Sequence, residues 1–205
     1  MSKWLFRWLH KPIYEARVSE LIKRVSYSVR RGDSLLDVGC GGGELGVRLG
    51  NELELKVEGV ERFPREGCRI GVTQIETSFF PFPDNAFDHV LVADVLHHEW
   101  DDDILLKECL RVCRKSVIIK DHKLDGVLAI HRIALMDWLA NTAYGVECIY
   151  RYRTCAGWHH LFSRLGAHIV SEITSMRLYP TGVNWLFGGR LQYFAVIEPT
   201  QAECE

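Results

Sequence analysis

The sequence predicts an α/β fold: one doubly wound, mostly parallel sheet of seven strands with a single antiparallel strand, an N-terminal helix and an inserted helical lid. Three observations predict it. Short apolar segments alternate with helical patterns along most of the chain. One of them, Ser34 to Val38, runs into a cluster of glycines and at once into a helix. The last two strand patterns follow one another without a helix, which calls for one antiparallel partner at that end of the sheet. A length of 205 residues suits one domain, 1–205, with 1–31 as its helical start and 122–153 as the lid.

Pro12 is expected to open the first helix, with Tyr14, Val18, Leu21, Val25 and Val29 recurring at three- and four-residue steps. Gly32 and Asp33 stop it, and Ser34 to Val38 is the first strand. Glu44 begins the next helix, and Leu55 to Val60 alternates as strand two. A very short second helix is expected between Glu61 and Arg69, then a weaker strand from Cys68 to Gln74. Pro81 and Pro83 make 79–85 a loop. Phe87 to Ala93 is a strongly apolar strand. The Asp101–Asp103 run complements a helix N-terminus, and Lys115 to Lys120 is strand five.

A helix from Leu124 to about Asn141 carries Leu124, Leu128, His131, Leu135 and Trp138 along one stripe. That stripe makes His131 a core or pocket-wall residue. Trp158, Leu161, Phe162 and Leu165 mark a further helix that Gly166 stops; His159 and His160 fall on its surface. Ala167 to Thr174 and Leu191 to Ile197 are the last strands. Pro180, Gly182, Gly188 and Gly189 give a long turn between them.

Composition excludes several function classes. Apolar residues make up 47% and aromatics 11%, enough for a full core. With 25 basic against 27 acidic side chains, the chain lacks the positive excess that a nucleic-acid backbone selects. Seven scattered cysteines, an odd number, point to a reduced, cytoplasmic compartment. No stretch reaches the ~20 apolar residues of a membrane span. The opening Trp4-Leu5-Phe6-Arg7-Trp8-Leu9 leaves peripheral membrane contact open. Cys109 and Cys113 lack the second ligand pair of a structural zinc site, so no metal is expected.

Glycines at 39, 41, 42 and 43 let a ligand approach the backbone, and the amides of the following helix favour a carboxylate or phosphate. A dinucleotide fingerprint wants a small third residue where Glu44 stands, which disfavours a nicotinamide dehydrogenase. Asp37, just before the loop, would repel a pyrophosphate but suits an ammonium group. Glu61 closes strand two, twenty residues after Gly41, where an acid can take two hydrogen bonds from ribose hydroxyls. Glu76 could accept from an adenine amine, with Phe63 and Phe79 either flanking the purine or packing in the core.

Asp37-Val-Gly-Cys-Gly-Gly-Gly, Glu61, the run from Glu76 to Asp88, Leu91-Val-Ala-Asp-Val-Leu-His-His and Leu106 to Arg114 together resemble class I S-adenosylmethionine-dependent methyltransferases. The nearest likeness is to the small-molecule branch of quinone, sterol and secondary-metabolite enzymes. The resemblance spans about Ser34 to Lys120. It implies a Rossmann-like sheet, an S-adenosylmethionine cofactor with S-adenosylhomocysteine as product, and a small-molecule acceptor. It also implies cofactor contacts at Asp37, Gly39, Cys40, Gly41, Glu61, Arg62, Glu76, Thr77, Ala93 and Asp94. The family's adenine acid is usually an Asp followed by Ala, and Glu76-Thr77 departs from that pattern.

Methyl transfer from a sulfonium needs an aligned acceptor and, for a hydroxyl or acidic carbon, loss of a proton. Candidate bases belong at the ends of strands four and five: His97 and His98 in one, Asp121 and His122 in the other, with Asp121 orienting His122. Aromatic residues at the chain start (Trp4, Phe6, Trp8, Tyr14), after the lid (Tyr150, Tyr152) and in the final turn (Tyr179, Trp185, Phe187) suit an apolar or aromatic acceptor. Arg151 and Arg153 add a possible anion contact. O- or C-methylation of such a metabolite is the expected activity. A catalytically silent, cofactor-binding partner subunit is the alternative.

Overall fold

The computed structural model describes residues 3–141 and 148–200. Its seven strands are β1 (Ser34–Val38), β2 (Lys56–Glu61), β3 (Gly71–Gln74), β4 (Phe87–Ala93), β5 (Cys113–His122), β6 (Ala167–Ile173) and β7 (Gln192–Pro199). They form one sheet in the order β3-β2-β1-β4-β5-β7-β6. Pairings from β3 across to β5 are parallel, while β7 runs antiparallel to both β5 and β6. The predicted single antiparallel strand is therefore β7, and it lies inside the sheet, with Gln192 to Ile197 all buried.

The period of two along each strand divides the core into two layers. Leu36, Val38, Val90, Val92, Val117 and Ile119 face α3 (Asp102–Val112) and α5 (Cys155–Arg164), joining Leu105, Leu106, Trp158 and Phe162. Leu35, Leu91, Ile118 and Phe194 face the other way, toward α1 (Lys3–Val25) and α2 (Glu44–Leu53). That second layer holds Val18, Leu21, Ile22 and Val25 of α1, the predicted apolar stripe shortened by one turn. Asp37 shares the strand parity of Leu35, so its carboxyl lies under α1 and α2. This placement makes it part of the site.

Four elements differ from expectation. Pro12 lies inside α1 rather than at its start; it is solvent-exposed, where water can satisfy the carbonyl whose amide partner it lacks. No helix forms between Glu61 and Arg69, a stretch that Pro64 and Gly67 leave as turns. The final turn holds a short helix, α6 (Thr181–Phe187). The inserted helix, α4 (Ala129–Asn141), begins five residues late and buries Ala129, Ile133 and Asp137. His131, Leu135 and Trp138 of the expected stripe are exposed, so His131 is neither core nor pocket wall. α4 is apolar on nearly every side, and periodicity alone cannot choose its buried face.

Candidate functional site

The site is built along the carboxyl ends of β1, β2, β4 and β5, where ligands bind in open α/β sheets. After Val38 the chain turns through Gly39, Gly41 and Gly43, with φ of 68°, 57° and 75°. These left-handed angles strain any residue with a Cβ. At Gly39 there is a steric reason as well: a Cβ would lie 2.6 Å from Cγ2 of Val95, which closes over the loop from the far side of β4. Cys40 turns its side chain toward Gly59 of β2 and Cys68. Burial pushes its thiol well up, so it is inert rather than nucleophilic.

Asp37 is 3% exposed and its Oδ2 has no hydrogen-bond partner. Burial, with a smaller push from Glu61, raises its carboxyl to about 7 against the pull of Arg17. Gly46 of α2 makes room for it, since a Cβ there would come within 3.4 Å of Oδ2. Glu61 accepts hydrogen bonds from the backbone N–H groups of Gly41 and Arg62, both at 2.8 Å. The Phe63 amide adds a longer hydrogen bond at 3.4 Å, so of about four acceptor positions on a carboxylate one stays available to a hydroxyl.

The Arg62 side chain points away from this carboxylate, donating to Ser78 Oγ (3.1 Å) and pairing with Glu99 (2.8 Å). These contacts brace the wall beside Glu61. Glu76 lies two residues beyond β3 and is exposed, as is Thr77, whose Oγ1 accepts from the Phe79 amide. Phe63 and Phe79 are 84% and 67% exposed. Core packing is thereby removed as an explanation for either ring.

Ala93 ends β4, and Asp94 follows in the left-handed region at φ 60°. Asp94 is the centre of a buried charge cluster. Arg17 of α1 reaches it through Nε (3.1 Å) and Nη2 (2.7 Å), and the fully buried Lys120 of β5 pairs with its other oxygen. Burial pushes the Asp94 carboxyl up, but Lys120 and Arg17 outweigh it and hold it well below the usual range. With two cations on it, Asp94 locks α1 to the strand tips and is not a free cofactor acceptor. Sequence reasoning missed Arg17; its one signal was a charge beside Val18 on an otherwise apolar face.

Beyond Asp94, a short 3-10 turn (Leu96–His98) aims both histidines inward. Asp121 accepts from His97 Nδ1 at 2.7 Å, so its partner is His97 and not the adjacent His122. Successive side chains on a strand leave by opposite faces, which separates Asp121 from the His122 ring. Burial pushes His97 down, but Asp121 and Asp137 more than reverse it, to about 10. His122 is 4% exposed, its Nδ1 has no partner, and its Nε2 lies 3.6 Å from Asp94. Burial and then Lys120 drive it down to about 3, so it stands as a neutral imidazole.

Asp137 of α4 approaches His98 Nε2 at 3.3 Å and His97 Nε2 at 3.5 Å, and accepts from Tyr152 Oη at 2.9 Å. The expectation of no metal weighed only Cys109 and Cys113. Among the described residues folding instead gathers two other groups whose ligand atoms lie within 4.8 Å of one another: His97, His98 and Asp137, and Cys155, His159 and Glu172. Asp137 was legible only as a lone acid in an apolar helix.

Of the expected aromatic lid, Tyr14 and Tyr179 adjoin the site through their electrostatic contact with Arg17, while Trp185 is 79% exposed. The side chains of Trp4, Phe6 and Trp8 lie outside the described residues. Arg153 is paired with Asp102 and lies 5.5 Å from the Trp158 ring centroid. Arg151 donates to the Trp100 carbonyl. Both border a surface cavity of about 390 Å³ away from the glycine loop. Among the described residues six cysteines are free, and no helix is long and apolar enough to cross a membrane.

Residues 20–122, half of the chain, match the family model described as methionine biosynthesis protein MetW. The chain belongs to the MetW family. This MetW-family chain is 28% identical over 146 residues to the ubiquinone/menaquinone biosynthesis C-methyltransferase UbiE of Cupriavidus pinatubonensis, covering 61% of the chain and 60% of that protein. It is 28% identical over 99 residues to the 27-O-demethylrifamycin SV methyltransferase of Amycolatopsis mediterranei, covering 42% of the chain and 36% of the relative. The chain thus spans about a third to three fifths of these curated relatives. A solved Haloferax volcanii putative methyltransferase, in complex with the Trm112 methyltransferase activator, superposes with a TM-score of 0.71 at 13% identity, covering 96% and 95% of the two chains. The MetW-family chain therefore has the class I S-adenosylmethionine-dependent methyltransferase fold.

Its residues fit that cofactor. The orphaned Asp37 oxygen needs a donor, the left-handed glycines leave the loop without side chains at the point of approach, and Glu61 retains acceptor capacity for a ribose hydroxyl. Beyond Glu61, Phe63 and Phe79 offer exposed flat faces near the acid-bearing loop.

Proposed function

We propose that this chain is an S-adenosylmethionine-dependent methyltransferase acting on a small molecule, an apolar or aromatic metabolite methylated at oxygen or carbon. The observation that carries the reading is Asp37: a buried carboxyl with an unpartnered oxygen beside a left-handed glycine loop. An unpaired buried acceptor costs about 1–3 kcal/mol, and a ligand ammonium relieves that cost. Glu61 would hold the ribose, and Glu76, Thr77, Phe63 and Phe79 would border the adenine. The backbone of Gly39, Cys40 and Gly41 would border the methionine portion.

The bound cofactor would supply an electrophilic methyl group. The chain's share is to orient the acceptor. His122 would make that contact, its unpartnered Nδ1 at the tip of β5 accepting a hydrogen bond from the acceptor while the proton leaves to solvent. Asp121 holds His97 in one orientation, and the Trp158 indole N–H donates to the His122 carbonyl at 3.2 Å, fixing the β5 tip from behind. Calorimetric binding of S-adenosylhomocysteine, followed by labelled methyl transfer to quinol and phenol acceptors, tests the reading. Absence of cofactor binding would overturn it.

A second reading, an inert cofactor-binding subunit that works through a partner, is favoured by one observation. α4 and α6 expose Leu135, Trp138, Trp185 and Leu186 together. Cofactor binding without transfer to any acceptor, restored by a copurifying protein, would select it.

A further inference from the structure

We propose that His97, His98 and Asp137 form a binding site for one divalent first-row transition metal, of the two-histidine, one-carboxylate type. His97 Nε2 and His98 Nε2 lie 3.5 and 3.3 Å from the same oxygen, Asp137 Oδ1. Charge-assisted hydrogen bonds between such groups are shorter, about 2.7–2.9 Å. Ligands on a tetrahedral zinc ion, with bonds of about 2.1 Å, stand about 3.4 Å apart. Both measured separations match pairs of ligands on one ion, and the three ligand atoms all lie within 4.8 Å of one another.

The surroundings are those of a metal centre. Metal-bound histidines commonly give their second ring nitrogen to a carboxylate, which fixes ring and tautomer. Here His97 Nδ1 donates to Asp121 Oδ1 at 2.7 Å. The ligating carboxylate is itself oriented, since Tyr152 Oη donates to Asp137 Oδ2 at 2.9 Å. Asp121 and Asp137 are each 1% exposed, and a dication held between them would offset both buried charges. Two imidazoles and one carboxylate suit zinc, cobalt, iron or manganese rather than calcium.

The second cluster lacks this spacing. His159 Nε2 and Glu172 Oε1 are 2.7 Å apart, in direct hydrogen bond, and His159 is half-exposed. Three protein ligands leave a coordination position for water or a substrate oxygen. That use rests on the methyl-transfer reading; the metal binding itself does not.

The test is titration of the chelator-stripped full chain with cobalt(II), followed by its visible absorption, with zinc as competitor. One equivalent per chain with a tetrahedral-type spectrum is expected. His98→Ala and Asp137→Asn should abolish stoichiometric binding, and Asp121→Asn should weaken it by about 10–100-fold. Cys155→Ser should change nothing. Circular dichroism of each variant shows whether it is folded, and S-adenosylhomocysteine titration of the same samples reads the cofactor site separately. Normal cofactor binding with no metal uptake by the parent chain overturns the metal site alone. Cobalt retained by folded Asp137→Asn, or lost from Cys155→Ser, also overturns it.

Discussion

Replacing Asp37 with Asn should make the protein more stable and a worse cofactor binder. The carboxyl is raised from 3.8 to about 7 by burial. At about 1.4 kcal/mol per unit, keeping it ionised in the folded state costs about 4 kcal/mol. The sign follows from linkage: the folded chain holds this proton more tightly than the unfolded chain. The contribution of Asp37 to stability is therefore most favourable below about pH 4, falls as pH rises toward 7, and carries the full cost above that. Asn never ionises, but its buried amide keeps an unsatisfied group worth about 1–3 kcal/mol. The net gain for Asp37→Asn at pH 8 is about 1–3 kcal/mol, or about 2–10 °C in Tm for a chain of this size.

Cofactor affinity should move the other way, falling about 10–150-fold with the loss of a charged hydrogen bond of about 1.5–3 kcal/mol. Thermal unfolding from pH 5 to 8 measures the first effect. Calorimetry with S-adenosylhomocysteine in buffers of different ionisation enthalpy measures the second. Below pH 7 the parent protein should release a proton on binding, and the variant should not. Equal affinity, or a Tm difference that does not change with pH, would refute the assignment of Asp37 as the ammonium partner.

Gly39→Ala should destabilise the fold by about 1–3 kcal/mol through left-handed strain and the clash with Val95, measured by urea unfolding; adding Val95→Ala should recover only the steric part. Arg17→Met should cost about 1.5–3 kcal/mol by removing one of the two cations on Asp94, and protease should then cleave near α1 sooner. His122→Ala should lower kcat far more than S-adenosylhomocysteine affinity; a change in affinity alone would place it beside the cofactor instead.

What the sequence made legible was local. The strand–glycine–helix unit around Asp37, the spacing to Glu61 and the strand ends at Asp94 and Asp121 are contiguous patterns, and each lies where expected. What it hid was assembled across distance. Arg17 meets Asp94 over 77 residues, and no local rule pairs them. His97 takes the carboxylate of Asp121 from another strand, while the ring of its neighbour His122 packs beside His97 with a centroid separation of 4.9 Å. Asp137 reaches the same pocket because α4 buries the face of Ala129 and Ile133, which the apolar pattern of the helix does not single out. The rings of Phe63 and Phe79 carry no sequence mark that separates a core residue from an exposed one.

The placement of β7 has a consequence for biosynthesis. It is the latest of the seven strands in chain order, yet it is the seam between β5 and β6. Until residue 199 has emerged from the ribosome, β5 presents a bare edge of unpaired amides and β6 has nothing to zip onto. The nascent protein must therefore keep an adhesive border open while residues 123–199 are made, and the half-sheet carrying the glycine loop can form well before the half that closes it.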